Sequence, residues 1–122
     1  MNPGQKKNTV KKGREYEQNA AQYFESKNYQ IIERNWNAGH KEIDFIALKD
    51  KTVVFVEVKS ARNLNFGHPA ERVDKKKRDN LIMAAEQYII SKNLQGYDYR
   101  FDLVTFIEGK LEHFENAFQK ED

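Results

Sequence analysis

Apolar residues recur at helical spacing from about Gly13 to Lys27. Tyr16, Ala20, Tyr23 and Phe24 follow helical spacing, and Glu17, Ala20, Ala21 and Phe24 share one face. This predicts an amphipathic helix with Glu17 at the border of its buried stripe and Glu15 pointing away. The period then drops to two. Tyr29 to Asn35 reads as a strand, Trp36 to Lys41 as a loop, and Glu42 to Lys59 as a hairpin of two β-rich runs broken at Lys49-Asp50-Lys51. Residues 60–72 carry no period and include Gly67 and Pro69, so a loop is expected. It leaves directly from Lys59, where it would cover whatever binds there. Helical spacing returns with Leu81, Ala84, Ala85, Tyr88 and Ile89, behind Asp74 as N-cap and running to about Lys92. Alternation resumes from Tyr97 to Glu108 and, after a turn at Gly109-Lys110, from Leu111 to Phe118. The order is α-β-β-β-α-β-β. Each helix has one apolar face to bury, so the fold class is expected to be α/β, a mixed β-sheet flanked by two helices.

Charges interrupt this pattern at one place. Alternation puts Val54, Val56 and Val58 on one face of the second hairpin run, and Val53, Phe55, Glu57 and Lys59 on the other. In the first run Asp44 stands on the row of Ile46 and Leu48. The hairpin makes these charges neighbours at the end of two apolar rows. Mg²⁺ and Mn²⁺ take oxygen ligands, with one or two carboxylates completed by water and substrate phosphate. Asp44, Glu57 and the Val58 carbonyl would supply such a site, and Lys59 would orient a water or stabilise charge building on phosphorus. An ion pair between Lys59 and either acid at the sheet rim is the structural alternative.

Length and composition narrow the setting. The chain has 122 residues, which fits a single domain over 13–122. Residues 1–12 are polar and basic and are expected to form a disordered tail. There is no cysteine, which excludes disulfides and thiolate metal sites, and His40, His68 and His113 lack ligand spacing. No apolar run approaches the roughly 20 residues of a membrane helix, and no signal-peptide core is present. A cytoplasmic protein without a membrane partner is expected. Net charge is only +2, but Lys6, Lys7, Lys11, Lys12 and Arg14 form one basic cluster and Lys75, Lys76, Lys77 and Arg78 another. Lysines at a helix start oppose the helix dipole, and with free backbone N–H groups they make an anion site. With Arg62 they are candidate contacts to a phosphate backbone, so DNA is the expected partner. Solvated charge is the alternative for each cluster.

These residues carry a resemblance. Asp44 followed by Glu57-Val58-Lys59 resembles the Asp…Glu-x-Lys signature of the restriction-endonuclease-like superfamily. More narrowly, the chain resembles the YraN-like family of uncharacterised bacterial proteins. The matching segments include Gly13-x-x-x-Glu17-x-x-Ala20, Glu42-Ile43-Asp44-Phe45-Ile46-Ala47 and Val54-Phe55-Val56-Glu57-Val58-Lys59. They continue with Lys77-x-x-x-Leu81, Arg100-Phe101-Asp102 and His113-x-x-Asn116-Ala117-Phe118. Lys41 stands where that family usually has glycine. The resemblance implies a restriction-endonuclease-like core similar to archaeal Holliday junction resolvases, with Glu17 joining Asp44 and Glu57 as a metal ligand. It implies an endonuclease hydrolysing phosphodiester bonds in DNA, with branched DNA among the candidate substrates. Mg or Mn would serve it, with no small-molecule cofactor, and it would act as monomer or homodimer. The alternative is a nucleic-acid-binding module without catalysis. Arg100 and Asp102 would either support the site or simply pair with each other.

Overall fold

The computed structural model describes residues 3–65 and 67–120, with side chains from Lys12 onward except that of Arg72. The elements are α1 (Pro3–Ser26), β1 (Gln30–Ala38), β2 (Lys41–Lys49), β3 (Thr52–Ala61), a 3₁₀ turn (Pro69–Arg72), α2 (Lys75–Ser91), β4 (Asp98–Ile107) and β5 (Lys110–Phe118). The strands form one sheet in the order β1-β2-β3-β4-β5. Only the β3–β4 pair is parallel, because α2 carries the chain back across the sheet between them. The predicted order of elements and the mixed sheet are therefore observed.

Both faces of the sheet are covered. Ala20 and Phe24 of α1 pack on Phe45, Val54, Val56 and Val104 on one side. Leu81, Ala85 and Tyr88 of α2 pack on Ile46, Val53 and Phe55 on the other. Buried residues therefore run without alternation through Val53–Glu57 and Phe101–Phe106, as expected of central strands covered on both faces. The predicted α2 cap is present: Asp74 Oδ1 accepts from the Lys77 N–H at 2.9 Å, the kind of contact worth about 1 kcal/mol.

Three boundaries differ from expectation. The α1 helix starts at Pro3, so it takes in most of the stretch read as a tail. Proline is tolerated in a first helical turn, and nothing between it and Ser26 breaks a helix outright. The side chains of Lys6, Lys7 and Lys11 lie outside the described residues. Trp36 belongs to β1, not to a loop. It pairs with Ile43 and meets the Tyr88 ring edge-on at 5.2 Å, so burial outweighs the local turn composition. The turn itself is short: Gly39 takes the left-handed conformation at φ 65°, while Lys41 already pairs with Ala38. Lysine at position 41 therefore leaves this turn intact. Last, residues 60–72 are not wholly irregular, since Ser60 and Ala61 extend β3 and His68 caps the 3₁₀ turn.

Asp102 and Arg100 form a structural network. Asp102 is fully buried. It accepts from Arg100 Nε at 2.9 Å, Arg100 Nη2 at 3.1 Å and the Asn116 N–H at 2.9 Å, and it lies 2.7 Å from His113 Nε2. A register shift in β5 opposite Phe101–Leu103 aims Asn116, at φ 53°, back toward the acid. Arg100 also donates to Tyr29 at 2.7 Å, and His113 Nδ1 lies 3.1 Å from the Tyr23 hydroxyl. The network therefore ties α1, β4 and β5 together. Burial pushes the Asp102 pKa up, but hydrogen bonds from His113, Arg100 and Asn116, with the Arg100 charge, outweigh it and hold the pKa below its ordinary value. A depressed folded pKa stabilises above the unfolded value of about 4 and loses that contribution as pH falls through the folded one. Asp102→Ala should cost about 3 kcal/mol or more at pH 7, because it leaves buried partners uncompensated. The gap to wild type should narrow below about pH 4. Urea unfolding of both proteins between pH 3 and pH 7 checks this; a gap that does not change with pH would remove the charge from the account.

Candidate active site

The β2–β3 ladder is regular from Lys49↔Thr52 up to Phe45↔Val56 and then stops. Continuing its register would set Asp44 opposite Glu57. Instead the Asp44 carboxylate enters the opening, and Oδ2 accepts the Val58 N–H at 2.7 Å. The strand rotates locally: Ile43 joins the α2-side cluster that also holds Ile46, while Phe45 joins the other. Asp44 is thereby turned off the row of Ile46 and Leu48 on which simple alternation places it. The disturbance extends to β1. Asn35, the residue facing Asp44 in that register, has φ 50° between the regular pairs Arg34↔Phe45 and Trp36↔Ile43. Asparagine accepts this left-handed conformation at little penalty.

Around this opening the charged side chains gather from both faces. On the α1 face, Arg14, Glu17, Gln18, Arg34, Asn35, Asp44 and Phe45 line a hollow of about 180 Å³. With its amide nitrogen turned toward the acids, Asn35 donates to Glu17 Oε2 at 3.3 Å and Glu42 Oε1 at 3.0 Å. On the α2 face Glu57 is buried, with 5% of its side chain exposed. Its Oε1 lies 3.5 Å from Lys59 Nζ and 3.5 Å from Lys77 Nζ. Its Oε2 is buried and finds no hydrogen-bond partner among the described residues; the Thr105 hydroxyl, two positions beyond the pairing partner of Glu57 on β4, is likewise unpartnered.

These acids are held in an unfavourable state. Burial, the Glu57 charge and then Glu17 and Glu42 push the Asp44 pKa up to about 7 against the pull of the Val58 N–H. Burial raises Glu57 as well; Lys77 and Lys59 oppose the rise without cancelling it. Glu17 is raised by burial and by Glu42 and Glu57, against Arg14. Hard oxygen donors, mutual repulsion and an orphaned buried carboxylate oxygen suit a divalent cation. The Val58 carbonyl fits the same set, since a strand residue's N–H and C=O point to the same side, here the opening. Among the described residues, however, no three acid or imidazole groups come together closely enough to hold an ion in this conformation.

Residues 16–106 match the uncharacterised protein family UPF0102. The chain belongs to this family. A UPF0102 protein of Sulfurihydrogenibium sp. is 42% identical over 92% of this chain and 97% of its own length. One from Chloroherpeton thalassium is 45% identical over 88% of this chain and 82% of its own. Another, from Clostridioides difficile, is 41% identical over 91% and 99%. The YraN-like resemblance is thereby borne out, and the family assignment carries no activity with it. The UPF0102 match spans Glu17, Asp44, Glu57, Lys59 and Lys77.

Where the β2–β3 ladder stops, Glu17 and Asp44 stand on the α1 side and Glu57 and Lys59 on the α2 side, with Val58 bonded to Asp44 between them. The structure does not make one surface of the basic residues. Lys75 pairs with Asp79 at 3.4 Å, Lys76 is exposed, Lys77 reaches Glu57, and Arg78 lines a separate hollow with Leu103 and Phe114. Successive helical residues diverge by about 100°, so a run in sequence is not a patch in space. Arg62 is exposed just past the end of β3. Asn35 and Glu42 were not singled out as site residues from sequence. The available signal was an asparagine, a poor strand former, opposite an acid.

Stability should register the strain. The folded pKa of Asp44 lies above its unfolded value, so the native state holds a proton the unfolded chain has released. Stability from this group therefore falls as pH rises from about 4 to about 7 and stays low above that. Asp44→Asn keeps an oxygen for the Val58 N–H and removes the charge. In EDTA it should be more stable than wild type by about 1–3 kcal/mol at pH 8, and by less at pH 5. Urea unfolding at the two pH values measures both numbers; a mutant less stable at pH 8 would count against a shared acid site.

Proposed function

We propose that this protein is a divalent-metal-dependent endonuclease that hydrolyses phosphodiester bonds in DNA. The observation that carries the reading is Glu57: buried, partnered by lysines on one oxygen only, and electrostatically coupled to Asp44 and Glu17. A structural acid at that depth would have both oxygens satisfied. Asp44, Glu57 and the Val58 carbonyl would hold Mg²⁺ or Mn²⁺, with Glu17 completing the set from α1. An ion bound there supplies positive charge against the phosphodiester oxygens. Lys59 is 31% exposed, so its ammonium can reach a phosphoryl oxygen while its stem stays packed on β3. From there it would orient the attacking water and stabilise charge on the phosphate as the sugar oxygen departs. Lys76, in the first turn of α2, and Arg62, just past the end of β3, are exposed and would meet flanking phosphates.

A second reading, binding without hydrolysis, draws on the separation of the acids in this conformation. It asks acids to face phosphate for no gain. The two readings diverge in one experiment, in which linear duplex, single-stranded, flap and four-way-junction DNA are incubated with Mg²⁺, Mn²⁺ or EDTA. Cleavage should appear with metal only. Asp44→Ala and Glu57→Ala should each abolish it while leaving DNA binding largely intact. Cutting that survives EDTA or both substitutions would reject the mechanism, and binding without cutting would favour the second reading.

DNA contact is tested separately. Lys76→Gln and Arg62→Gln should weaken binding to all sequences alike and flatten the salt dependence, with the log–log slope falling by up to about 0.9 for each duplex phosphate no longer neutralised. Titrations from low to moderate salt read the slope; an unchanged slope would assign both side chains to solvent.

A further inference from the structure

Within the basic α2 turn, Lys77 is the residue that reaches the buried acid Glu57. Its backbone is fixed by the Asp74 cap, and its side chain spans from helix to sheet to place Nζ 3.5 Å from Glu57 Oε1. Lys59 Nζ approaches the same oxygen at the same distance. Two ammonium groups thus crowd one carboxylate oxygen while the other, Oε2, is buried without a partner. This is an uneven use of charge. A fixed structural pair would spread its donors over both oxygens, as Arg100 does on Asp102.

We propose, resting on the reading of this opening as a divalent-metal site, that Lys77 is an exchangeable counterion of Glu57. It neutralises the acid in the metal-free protein, withdraws when a divalent cation binds, and then meets a phosphate of the nucleic acid. Lys77 is the lysine placed to move. Lys59 issues from β3 two residues from Glu57 on the same face of the strand, so its position is tied to that of the acid. Lys77 stands on a different element, is 38% exposed, and has a flexible stem able to swing toward solvent. A cation arriving at Glu57 repels both ammoniums, and rotation of the half-exposed Lys77 side chain relieves that repulsion. The withdrawn ammonium lies at the first turn of α2, where exposed Lys76 and the leading backbone N–H groups already favour an anion. Metal binding and phosphate binding are then coupled, and by linkage each strengthens the other.

The test measures Mn²⁺ binding by calorimetry in wild type, Lys77→Gln, Lys77→Arg and Lys76→Gln, without DNA. Lys77→Gln should bind Mn²⁺ about tenfold more tightly, since the competing charge is gone. Lys77→Arg, which keeps the charge, and Lys76→Gln, which never faced Glu57, should match wild type. Duplex binding supplies the second readout. Adding Ca²⁺ in place of EDTA should steepen the wild-type salt slope by about 0.9 relative to Lys77→Gln, the signature of one more phosphate neutralised. Mn²⁺ binding that appears only in Lys77→Gln would support the proposal in its strongest form. Equal or weaker Mn²⁺ binding by Lys77→Gln would overturn it, making Lys77 a fixed support of Glu57 and leaving the metal site standing. Absence of Mn²⁺ binding in every variant would remove the metal site and the counterion role together.

Discussion

The bond from the Val58 N–H to Asp44 Oδ2 is where the sheet stops being scaffold and becomes a site. A central strand cannot leave a half-buried N–H without an acceptor, because the desolvation penalty is about 1–3 kcal/mol. Had β2 continued in register, its backbone would have filled that role and closed the gap. A side-chain acceptor does the same work while letting the two strands part. Once they part, Glu57 faces the opening, and the rotation of β2 that sends Ile43 to the other core swings Asp44 into it. The left-handed turn at Asn35 answers the distortion on the far edge of β2 and places an amide between Glu17 and Glu42. Fold and site are therefore not separable here: the hydrogen bond that preserves the sheet also creates the cavity.

Two buried acids on neighbouring strands differ in how their lone pairs are satisfied. Asp102 and Glu57 are both almost inaccessible, and burial alone would raise both. Asp102 has each oxygen filled by guanidinium, imidazole and backbone donors, so its pKa falls and its charge stabilises the fold. Glu57 has two ammoniums on one oxygen and nothing on the other, so its pKa stays raised. The discriminating quantity is the satisfaction of lone pairs, not depth. By that criterion the Arg100–Asp102 pair, which sequence alone leaves ambiguous, belongs to the architecture. Its hydrogen bonds fix β5 and α1 against the sheet, and α1 carries Glu17 to the opening.

Much of this was legible in the sequence, and the limits were physical. The helix stripes, the hairpin and the pairing of Glu57 with Lys59 follow from periods of 3.6 and 2, because apolar burial enforces those periods wherever the chain is regular. Irregularity is invisible to a period. The rotation at Asp44, the left-handed Asn35 and the register shift that delivers the Asn116 N–H to Asp102 break alternation, and they are the features that build the site and its support. Trp36 misled in the opposite direction. Its neighbours look like a turn, but an aromatic ring against Tyr88 holds it in β1. The run Lys75 to Arg78 does not form one surface, since consecutive helical residues point in different directions.

That basic turn ends as a test of how local conflict is resolved. Lysines in a first helical turn work against the helix dipole, and local propensity offers no reason for them. Asp74 offsets part of the conflict as a cap, and Asp79 takes up Lys75. Neither explains Lys77, whose half-exposed side chain joins an acid already paired with Lys59. A sequence selected for stability alone would place an apolar residue there, or leave Glu57 uncharged. Lys77 opposing the dipole and Glu57 holding charge in a dry site are each unfavourable alone and partly compensating together. On the reading of this opening as a metal site, such a pair lets the resident ammonium be exchanged for a divalent cation. The strain in α2 and the strain in β3 are then one feature seen from two elements, joined where Lys77 Nζ meets Glu57 Oε1.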